Sequence, residues 1–490
     1  MSLSVTILEI AACLLGVSVL LVDLWLPAAR KRDLGYIAAA GLALILAGSF
    51  FVPMTEPYAF GHMYVLDPLA LFFKRFFLVA AILVLIMAVE FADRIRSGIA
   101  EFYALVLFAL TGMMFAASAN DFVLVFASLE LITVTFYVLT SFERTRLTSL
   151  EAGVKYLIIG ALSTAFTVYG IALIFGTANS TSFEKIFASG AALRGNVVFL
   201  LGLLLVLVGL GFKIAAVPFQ IWAPDVYQGA PTPTTAFLAV GSKAAGFALL
   251  LRILFSAVPP STVDWSKLLM VTSAATILYG NLCAIPQRNL KRLLGYSSIA
   301  HAGYLLLGVA AMDAAGSAAI LYYLTGYLFT VLAAFTVICV VLREVDGDDM
   351  SAVAGLHQRS PLLALGLGMA MVSLAGIPPL AGFFGKFLLL RALLERGALQ
   401  PAYYWLAGVA VFGVVVSFYY YLNIVRAIYW SEAAPVPVSV ETPGLLKLAA
   451  PTRWALCVCI AGMLFIGLYP NPIVRMTNQA ATSLNFTAPP

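Results

Sequence analysis

Long, uninterrupted apolar runs follow one another along almost the whole chain. Most approach the roughly 20 residues that a helix needs to cross a hydrocarbon core of about 30 Å. They lack the alternation of apolar and polar positions that is typical of membrane β-barrel strands. Because backbone polar groups in lipid must be satisfied within the chain, the pattern predicts an all-α polytopic membrane protein. We count about 14 transmembrane helices, at 3–26, 34–52, 65–90, 102–118, 121–141, 153–176, 196–221, 234–256, 266–285, 297–312, 317–342, 361–393, 403–429 and 453–470.

The composition agrees with a chain whose surface faces lipid. Of the 490 residues, 62% are hydrophobic and only 10% are charged, whereas a soluble domain has about 25% charged residues. The net charge of +5 is modest and does not suggest a nucleic-acid partner. The five cysteines lack metal-ligand spacing, and we interpret them as core residues. We expect one transmembrane domain over 1–490, with the first apolar run retained because no convincing signal-peptide cleavage site follows it.

Basic residues in the predicted loops indicate the orientation. With both termini outside, the inside loops contain more than twice as many Lys and Arg residues as the outside loops, including Arg144, Arg146, Lys291, Arg292 and Arg343. An excess of positive charge on the cytoplasmic side is typical of membrane proteins. The pattern therefore predicts periplasmic termini. The polar stretch 430–452, with Pro435, Pro437 and Pro443, is predicted to be an extended connector.

Four ionisable residues lie deep inside predicted spans. Lys213, Lys243 and Lys386 are several residues from any loop, and Glu130 is the one matching acid. A central lysine costs about 2.5–3.5 kcal/mol even on lenient insertion scales, so such residues are usually functional. A buried amine also changes its protonation state readily, which suits an ion pathway. Glu130 alone could instead be a structural hydrogen-bonding group. For Lys74, Arg75, Lys155 and Arg252 we favour structural interpretations, with Arg252 extending its head to the interface.

Prolines interrupt two of the spans close to these lysines. Pro218 follows Lys213, and the pair Pro378–Pro379 precedes Lys386. Proline inside a helix removes a backbone hydrogen bond, and paired broken helices are typical of inverted-repeat transporters. Two ordinary kinks are the alternative. We predict two inverted-topology repeats, each with a proline-broken helix, at about 102–256 and 266–429, flanked by peripheral helices at 1–90 and 453–470.

His301 is the one histidine placed inside a predicted span. A lone histidine on an apolar face is usually a core residue, but an imidazole with an unperturbed pKa of about 6.5 also suits proton transfer. We favour a relay role. The sequence has no dinucleotide-binding fingerprint, phosphate-binding loop or nucleophile elbow. We therefore expect that this chain binds no NADH, flavin or iron–sulfur cluster itself.

Three stretches resemble one known family. They are WAPDVYQGAPTP at 222–233, QRNLKRLLGYSSIAHAGYLLLG at 287–308 and AGIPPLAGFFGKF at 375–387. They are similar to the antiporter-like membrane subunits of respiratory complex I, which are related to multi-subunit Na⁺/H⁺ antiporters. The resemblance covers about residues 5–470. Lys386 differs from the glutamate typical of the subunit M branch, and the long C-terminal helix of the subunit L branch is missing, so the chain looks like the subunit N branch.

The resemblance implies a role for each matched residue. Glu130, Lys213, Lys243 and Lys386 match the family's proton-carrying residues, and Glu151 and Lys155 match polar positions with milder roles. It implies a proton-translocating, non-redox subunit of NADH–quinone oxidoreductase in the bacterial inner membrane. FMN, iron–sulfur clusters and quinone would belong to partner subunits, and the partners would be other membrane subunits and lipid. The alternatives are a subunit of a multi-subunit cation/proton antiporter and a membrane scaffold with vestigial charges.

Overall fold

The computed structural model describes residues 5–53, 57–95, 98–258, 262–344, 347–431, 446 and 448–486. These residues form helices joined by short turns, with one two-stranded antiparallel sheet, β1 (Tyr58–Ala59) and β2 (Tyr64–Val65). The predicted connector with Pro435, Pro437 and Pro443 lies outside the described residues. The first helices are α1 Ile7–Asp23, α2 Leu34–Gly48, α3 Pro68–Phe91, α4 Ile99–Ala117, α5 Phe122–Thr140, α6 Leu147–Ala178, α7 Phe183–Ala188, α8 Gly190–Leu193, α9 Val197–Ile214 and α10 Trp222–Gly229.

The second half of the chain continues in the same way. Two π turns, Leu238–Ser242 and Ile253–Ala257, flank α12 in one helical rod, and short 3-10 turns lie at Ala28–Asp33, Ala92–Arg94 and Met350–Val353. The remaining helices are α11 Thr232–Phe237, α12 Lys243–Arg252, α13 Ser266–Ala284, α14 Leu290–Ala310, α15 Ala314–Glu344, α16 Leu356–Arg359, α17 Pro361–Ala375, α18 Ala381–Gly397, α19 Ala402–Trp430, α20 Ala450–Leu468 and α21 Asn471–Ala481.

The chain is an all-α polytopic membrane protein. Eleven helical segments within the described residues are long and apolar enough to cross a membrane. The predicted boundary between the fourth and fifth spans is confirmed, because α4 ends at Ala117 and α5 begins at Phe122. The Asp121 carboxylate accepts a hydrogen bond from the Val123 backbone N–H at 2.7 Å, which caps the start of α5.

Several predicted boundaries are wrong, and a side-chain cap explains one of them. The seventh span does not run unbroken to residue 221: α9 ends at Ile214, and α10 occupies 222–229, where the sequence predicts a loop. The tenth span starts at Leu290 rather than 297, because the Asn289 side chain caps the new first turn by accepting from the Arg292 N–H at 2.9 Å. Lys291 and Arg292 are therefore helical. So is Arg343, since α15 continues to Glu344.

Two buried ion pairs involve α3: one joins α3 to α1, and the other joins the start of α3 to α12. The Lys74 Nζ lies 2.7 Å from Glu9 Oε1, and both side chains are fully buried. The Arg252 guanidinium donates to both oxygens of Asp67, at 2.7 and 3.0 Å, and to the Ala117 carbonyl at 2.6 Å. Arg252 is 2% exposed, so the prediction that it extends to the interface is wrong. A partner within the protein satisfies its charge instead.

We expect the Glu9–Lys74 pair to stabilise the fold only as long as both partners are present. Lys74→Met leaves the Glu9 carboxylate buried without its counter-ion, which should lower the free energy of unfolding by about 3–5 kcal/mol. The double variant Glu9→Leu/Lys74→Met removes both charges and should be far less destabilised. Denaturant unfolding of the purified protein in mild detergent measures the difference. Equal destabilisation of the single and double variants would contradict the interpretation.

Candidate functional site

Glu130 and Lys213 face one small cavity between α5, α6 and α9. Glu130 Oε1 accepts a hydrogen bond from Thr164 Oγ1 at 2.6 Å, and Lys213 Nζ donates to Thr133 Oγ1 at 3.1 Å. The cavity between them has a volume of about 20 Å³, which is enough for about one water molecule. Although both residues are described, the structure contains no direct ion pair between them. The acid and the amine thus share a cavity but are held by separate threonines.

Lys213 lies in the last turn of the interrupted helix α9. The backbone leaves the helix at Ala215, and the Phe212 carbonyl at the helix end accepts a hydrogen bond from the Trp222 indole at 3.0 Å. Unsatisfied carbonyls give the C-terminal end of a helix partial negative charge, which favours a cation in the last turn. The Lys213 side chain also packs towards α12, where a Cβ added to Gly246 would lie 3.4 Å from its Cγ.

Lys243 is bound by a serine and lies near tyrosines. It is 2% exposed, and its Nζ donates to both the carbonyl and the hydroxyl of Ser298 on α14. The same hydroxyl lies 2.8 Å from Tyr227 Oη and 3.2 Å from Tyr327 Oη. The ammonium is also 5.9 Å from the centre of the Tyr327 ring. The partners of Lys243 are therefore neutral oxygens and an aromatic face.

His301 lies in the middle of α14 and is enclosed by tyrosines. Its Nδ1 is hydrogen-bonded to Tyr323 Oη, and its Nε2 lies 2.9 Å from Tyr421 Oη. The rings of Tyr304 and Tyr327 also face the imidazole, with centroids 5.9 and 5.1 Å away. The residue is 2% exposed. Both ring nitrogens thus have tyrosine hydroxyls as partners.

Lys386 caps the second interrupted helix. Leu374 and Ala375 are the last two residues of α17, and the Lys386 Nζ donates to their carbonyls at 2.8 and 2.9 Å. The chain turns away from α17 at Gly376, whose φ of +91° suits glycine, and a Cβ there would lie 3.0 Å from Lys386 Cδ. The ammonium is therefore placed at the negative end of a helix dipole, as Lys213 is.

The two supporting residues, Glu151 and Lys155, lie apart from the buried row. Lys155 Nζ is 2.7 Å from both Glu151 Oε1 and Asp225 Oδ2. Arg292 Nη1 lies 2.5 Å from the other Asp225 oxygen. These four side chains are partly exposed and join α6, α10 and α14, so they are well placed to fix α10 after the break at Pro218.

The structure brings the predicted residues into two groups. Glu130 and Lys213 form one group, while Lys243, His301 and Lys386 surround the tyrosines of α14, α15 and α19. Pro218 lies in the unwound segment that follows Lys213, and Pro378 and Pro379 lie between α17 and α18. Sequence reasoning missed the residues that bind the charges: Thr133, Thr164, Ser298, Tyr323 and Tyr421. Only Ser298, three residues before His301 in YSSIAH, carried a local signal, because the other contacts join distant parts of the chain.

No metal site accompanies this arrangement in the part of the chain that the structure describes, where no three His, Cys, Asp or Glu side chains gather closely enough to hold an ion. The tight packing of hydroxyls, lysines and tyrosines suits proton transfer rather than the binding of a large ligand. That the chain holds no redox cofactor stays a prediction.

A helical membrane bundle with interrupted helices and buried lysines is typical of membrane transporters. The family model described as "NADH:quinone oxidoreductase/Mrp antiporter, TM" matches residues 119–417. This match spans more than half of the chain, which belongs to that family of membrane proteins.

Among members of the family, the chain is similar to proteins named NADH-quinone oxidoreductase subunit N. It is 41% identical over 486 residues to the one from Trichlorobacter lovleyi, covering 98% of this chain and 97% of the relative. It is 39% identical over 475 residues to the one from Moorella thermoacetica, covering 97% of each. A chain of respiratory complex I from Thermus thermophilus is 34% identical with a TM-score of 0.78, covering 96% of this chain and 98% of that one.

We expect the two threonines to set the resting positions of Glu130 and Lys213. Thr133→Val and Thr164→Val keep the side-chain shape but remove the hydroxyls, so each charged group loses a hydrogen bond worth about 1.5–3 kcal/mol. Proton transport measured in membrane vesicles should fall in both variants. Thr177→Val is the matched control on α6, because the Thr177 hydroxyl binds only carbonyls of its own helix. Unchanged transport in both test variants would refute the assignment.

Proposed function

We propose that this chain is the proton-translocating subunit N of an NADH–quinone oxidoreductase. The observation that carries the proposal is the row of three buried lysines whose ammonium groups bind neutral oxygens. Lys213 and Lys386 lie at the ends of interrupted helices, and Lys243 lies near the tyrosines around His301. The identities of 39–41% with subunit N proteins over nearly the full length support this choice of family branch. The chain would act as a non-redox translocase, with FMN, iron–sulfur clusters and quinone bound by partner subunits. Its partners would be neighbouring membrane subunits and lipid.

The proposed topology has 14 transmembrane segments, which include two inverted repeats. To the eleven helical segments it adds α1, α2 and the interrupted pair α17–α18. The repeats would be about 102–256 and 266–429, flanked by peripheral helices at 1–90 and 453–470. The similar placement of Lys213 and Lys386, each at the carboxyl end of the first half of a broken helix, supports this division. The host membrane would be the bacterial inner membrane, with both termini in the periplasm.

The first step of the proposed mechanism is a change in the Glu130–Lys213 pair. When the two side chains meet across their cavity, each stabilises the charge of the other. When they separate to Thr164 and Thr133, as in this structure, Lys213 lacks a carboxylate partner in an apolar site. Its proton then moves towards Lys243, since a desolvated amine gives up its charge readily.

The later steps carry the proton along the second group. Lys243 passes it towards His301 and then Lys386, which releases it to one side of the membrane. The free energy would come from quinone reduction in other subunits and reach this chain as movement of neighbouring helices. The lysines suit such a cycle because their partners here are carbonyls and hydroxyls, which a small movement can exchange.

The alternative is a subunit of a multi-subunit cation/proton antiporter, because the matching family model covers both kinds of protein. The same lysines would then exchange protons against a cation gradient without redox partners. Purification of the tagged chain from its native membrane separates the two. Co-purifying NADH–quinone activity and flavin absorbance would support complex I, whereas a flavin-free preparation that exchanges cations for protons in liposomes would support the antiporter.

The relay predicts that loss of either member of the first pair slows pumping. Glu130→Ala and Lys213→Ala should each lower NADH-driven proton uptake by inverted vesicles about tenfold or more, as loss of a positioned proton carrier does. Lys185→Ala, an exposed lysine in α7, is the control and should pump normally. Blue native gels check that the complex assembles. Normal pumping in both Glu130→Ala and Lys213→Ala would refute the proposed mechanism.

The orientation predicts which loops are labelled from each side. In a variant whose native cysteines are replaced by serine, Ala192→Cys lies in a predicted periplasmic loop and Thr145→Cys in a cytoplasmic loop, and both positions are exposed. A membrane-impermeant maleimide added to spheroplasts should label Ala192→Cys and spare Thr145→Cys. Inverted vesicles should give the opposite result. A reversed pattern would overturn the orientation.

A further inference from the structure

The hydrogen bonds of His301 run through the ring from one tyrosine to another. Nδ1 is bonded to Tyr323 on α15, and Nε2 to Tyr421 on α19. A neutral imidazole has one donor and one acceptor nitrogen, while a hydroxyl can donate and accept at once. One tyrosine must therefore donate to the ring while the other accepts from it. A proton that arrives at one nitrogen can leave from the other.

One end of this chain of hydrogen bonds leads back towards Lys243. Tyr421 Oη lies 2.5 Å from Ser297 Oγ, and the next residue, Ser298, binds the Lys243 ammonium. A cavity of about 10 Å³ is lined by Ser297, by the two tyrosines that contact the Ser298 hydroxyl, Tyr227 and Tyr327, and by apolar residues. This is about the space of one water molecule, so a single water there can connect Ser297 with Tyr227 and Tyr327, which contact the Ser298 hydroxyl.

The other end leads towards Lys386. The Tyr323 ring lies against Gly385, where an added Cβ would be 2.6 Å from Tyr323 Cδ2. This close approach places Tyr323 beside the backbone that carries Lys386. The Lys386 ammonium itself is bound to the α17 carbonyls in this structure. Transfer from Tyr323 therefore requires Lys386 to leave those carbonyls, which makes this the step that a helix movement can control.

We propose that Tyr421 and Tyr323 are relay residues on the two sides of His301. Tyr421 takes a proton from the Ser297 side and gives its own hydroxyl proton to Nε2, while Nδ1 gives its proton to Tyr323. Tyr323 in turn gives its hydroxyl proton onward to Lys386. Each hydroxyl gains one proton and loses one, so neither ends as a tyrosinate, and rotation of the hydroxyls with tautomer exchange of the ring resets the path. The inference rests on the proposed function, since it adds members to the same relay.

Phenylalanine variants test this path because they keep the ring packing and remove only the hydroxyl. Tyr421→Phe and Tyr323→Phe in the intact complex should each lower proton flux per assembled complex about tenfold. The flux is measured in inverted vesicles with saturating NADH and quinone, and the complex is quantified in the same vesicles. Tyr420→Phe is the matched control: Tyr420 is the buried neighbour of Tyr421, but its hydroxyl binds Asn281.

A Lys243→Ala variant in the same assay distinguishes failure of the proposed function from failure of the tyrosine relay. Normal flux in Lys243→Ala would overturn the proposed function itself. Reduced flux in Lys243→Ala with normal flux per complex in either tyrosine variant would overturn only the two-sided relay. If the hydroxyls served only to stabilise the fold, less complex would assemble while the flux of each assembled complex stayed normal, which also overturns the inference. Reduced flux in both tyrosine variants, with Tyr420→Phe normal, supports it.

Discussion

A buried ammonium needs electronegative partners inside the protein, and the amines of the proposed relay meet this requirement without a carboxylate in contact. Lys386 binds the last carbonyls of α17, Lys213 lies in the final turn of α9 near a threonine, and Lys243 binds Ser298. The interrupted helices supply two of these environments, because a helix that ends inside the bundle exposes carbonyls that a continuous helix would use itself. The helix breaks thus supply partners for the buried ammonium groups, and the ammonium groups satisfy the carbonyls that the breaks expose.

The choice of partner separates the relay from the charges that hold the bundle together. Lys74, Arg252 and Arg343 are paired with the carboxylates of Glu9, Asp67 and Glu90. Removing one member of such a pair leaves an unpaired charge, so these contacts resist change. The relay lysines, bound to neutral oxygens, lose less when a helix shifts. Under the proposed function, this difference lets one bundle contain both rigid anchors and protonatable groups that exchange partners.

Two cavities along the proposed relay are small. The cavity beside Lys213 and the cavity beside Ser297 have room for about one water each, so neither holds a column of water. In the proposed relay, side-chain hydroxyls carry the links beyond these cavities, and tyrosines and serines that cluster around His301 can supply them. Helix movement would directly change proton transfer along this path, because each link depends on contacts between different helices.

The apolar runs determined the class of fold, since the need to satisfy the backbone in lipid leaves few options, and the cost of burying charge singled out Glu130, Lys213, Lys243 and Lys386. The prolines indicated both helix breaks. Helix ends such as Leu290 were misplaced because side-chain caps and buried partners decide them. The tertiary structure alone decided that Arg252 pairs with Asp67 and that tyrosines from two other helices meet His301. These contacts join residues 120 or more positions apart in two cases, and no local pattern records which distant side chain fills the space beside a charge.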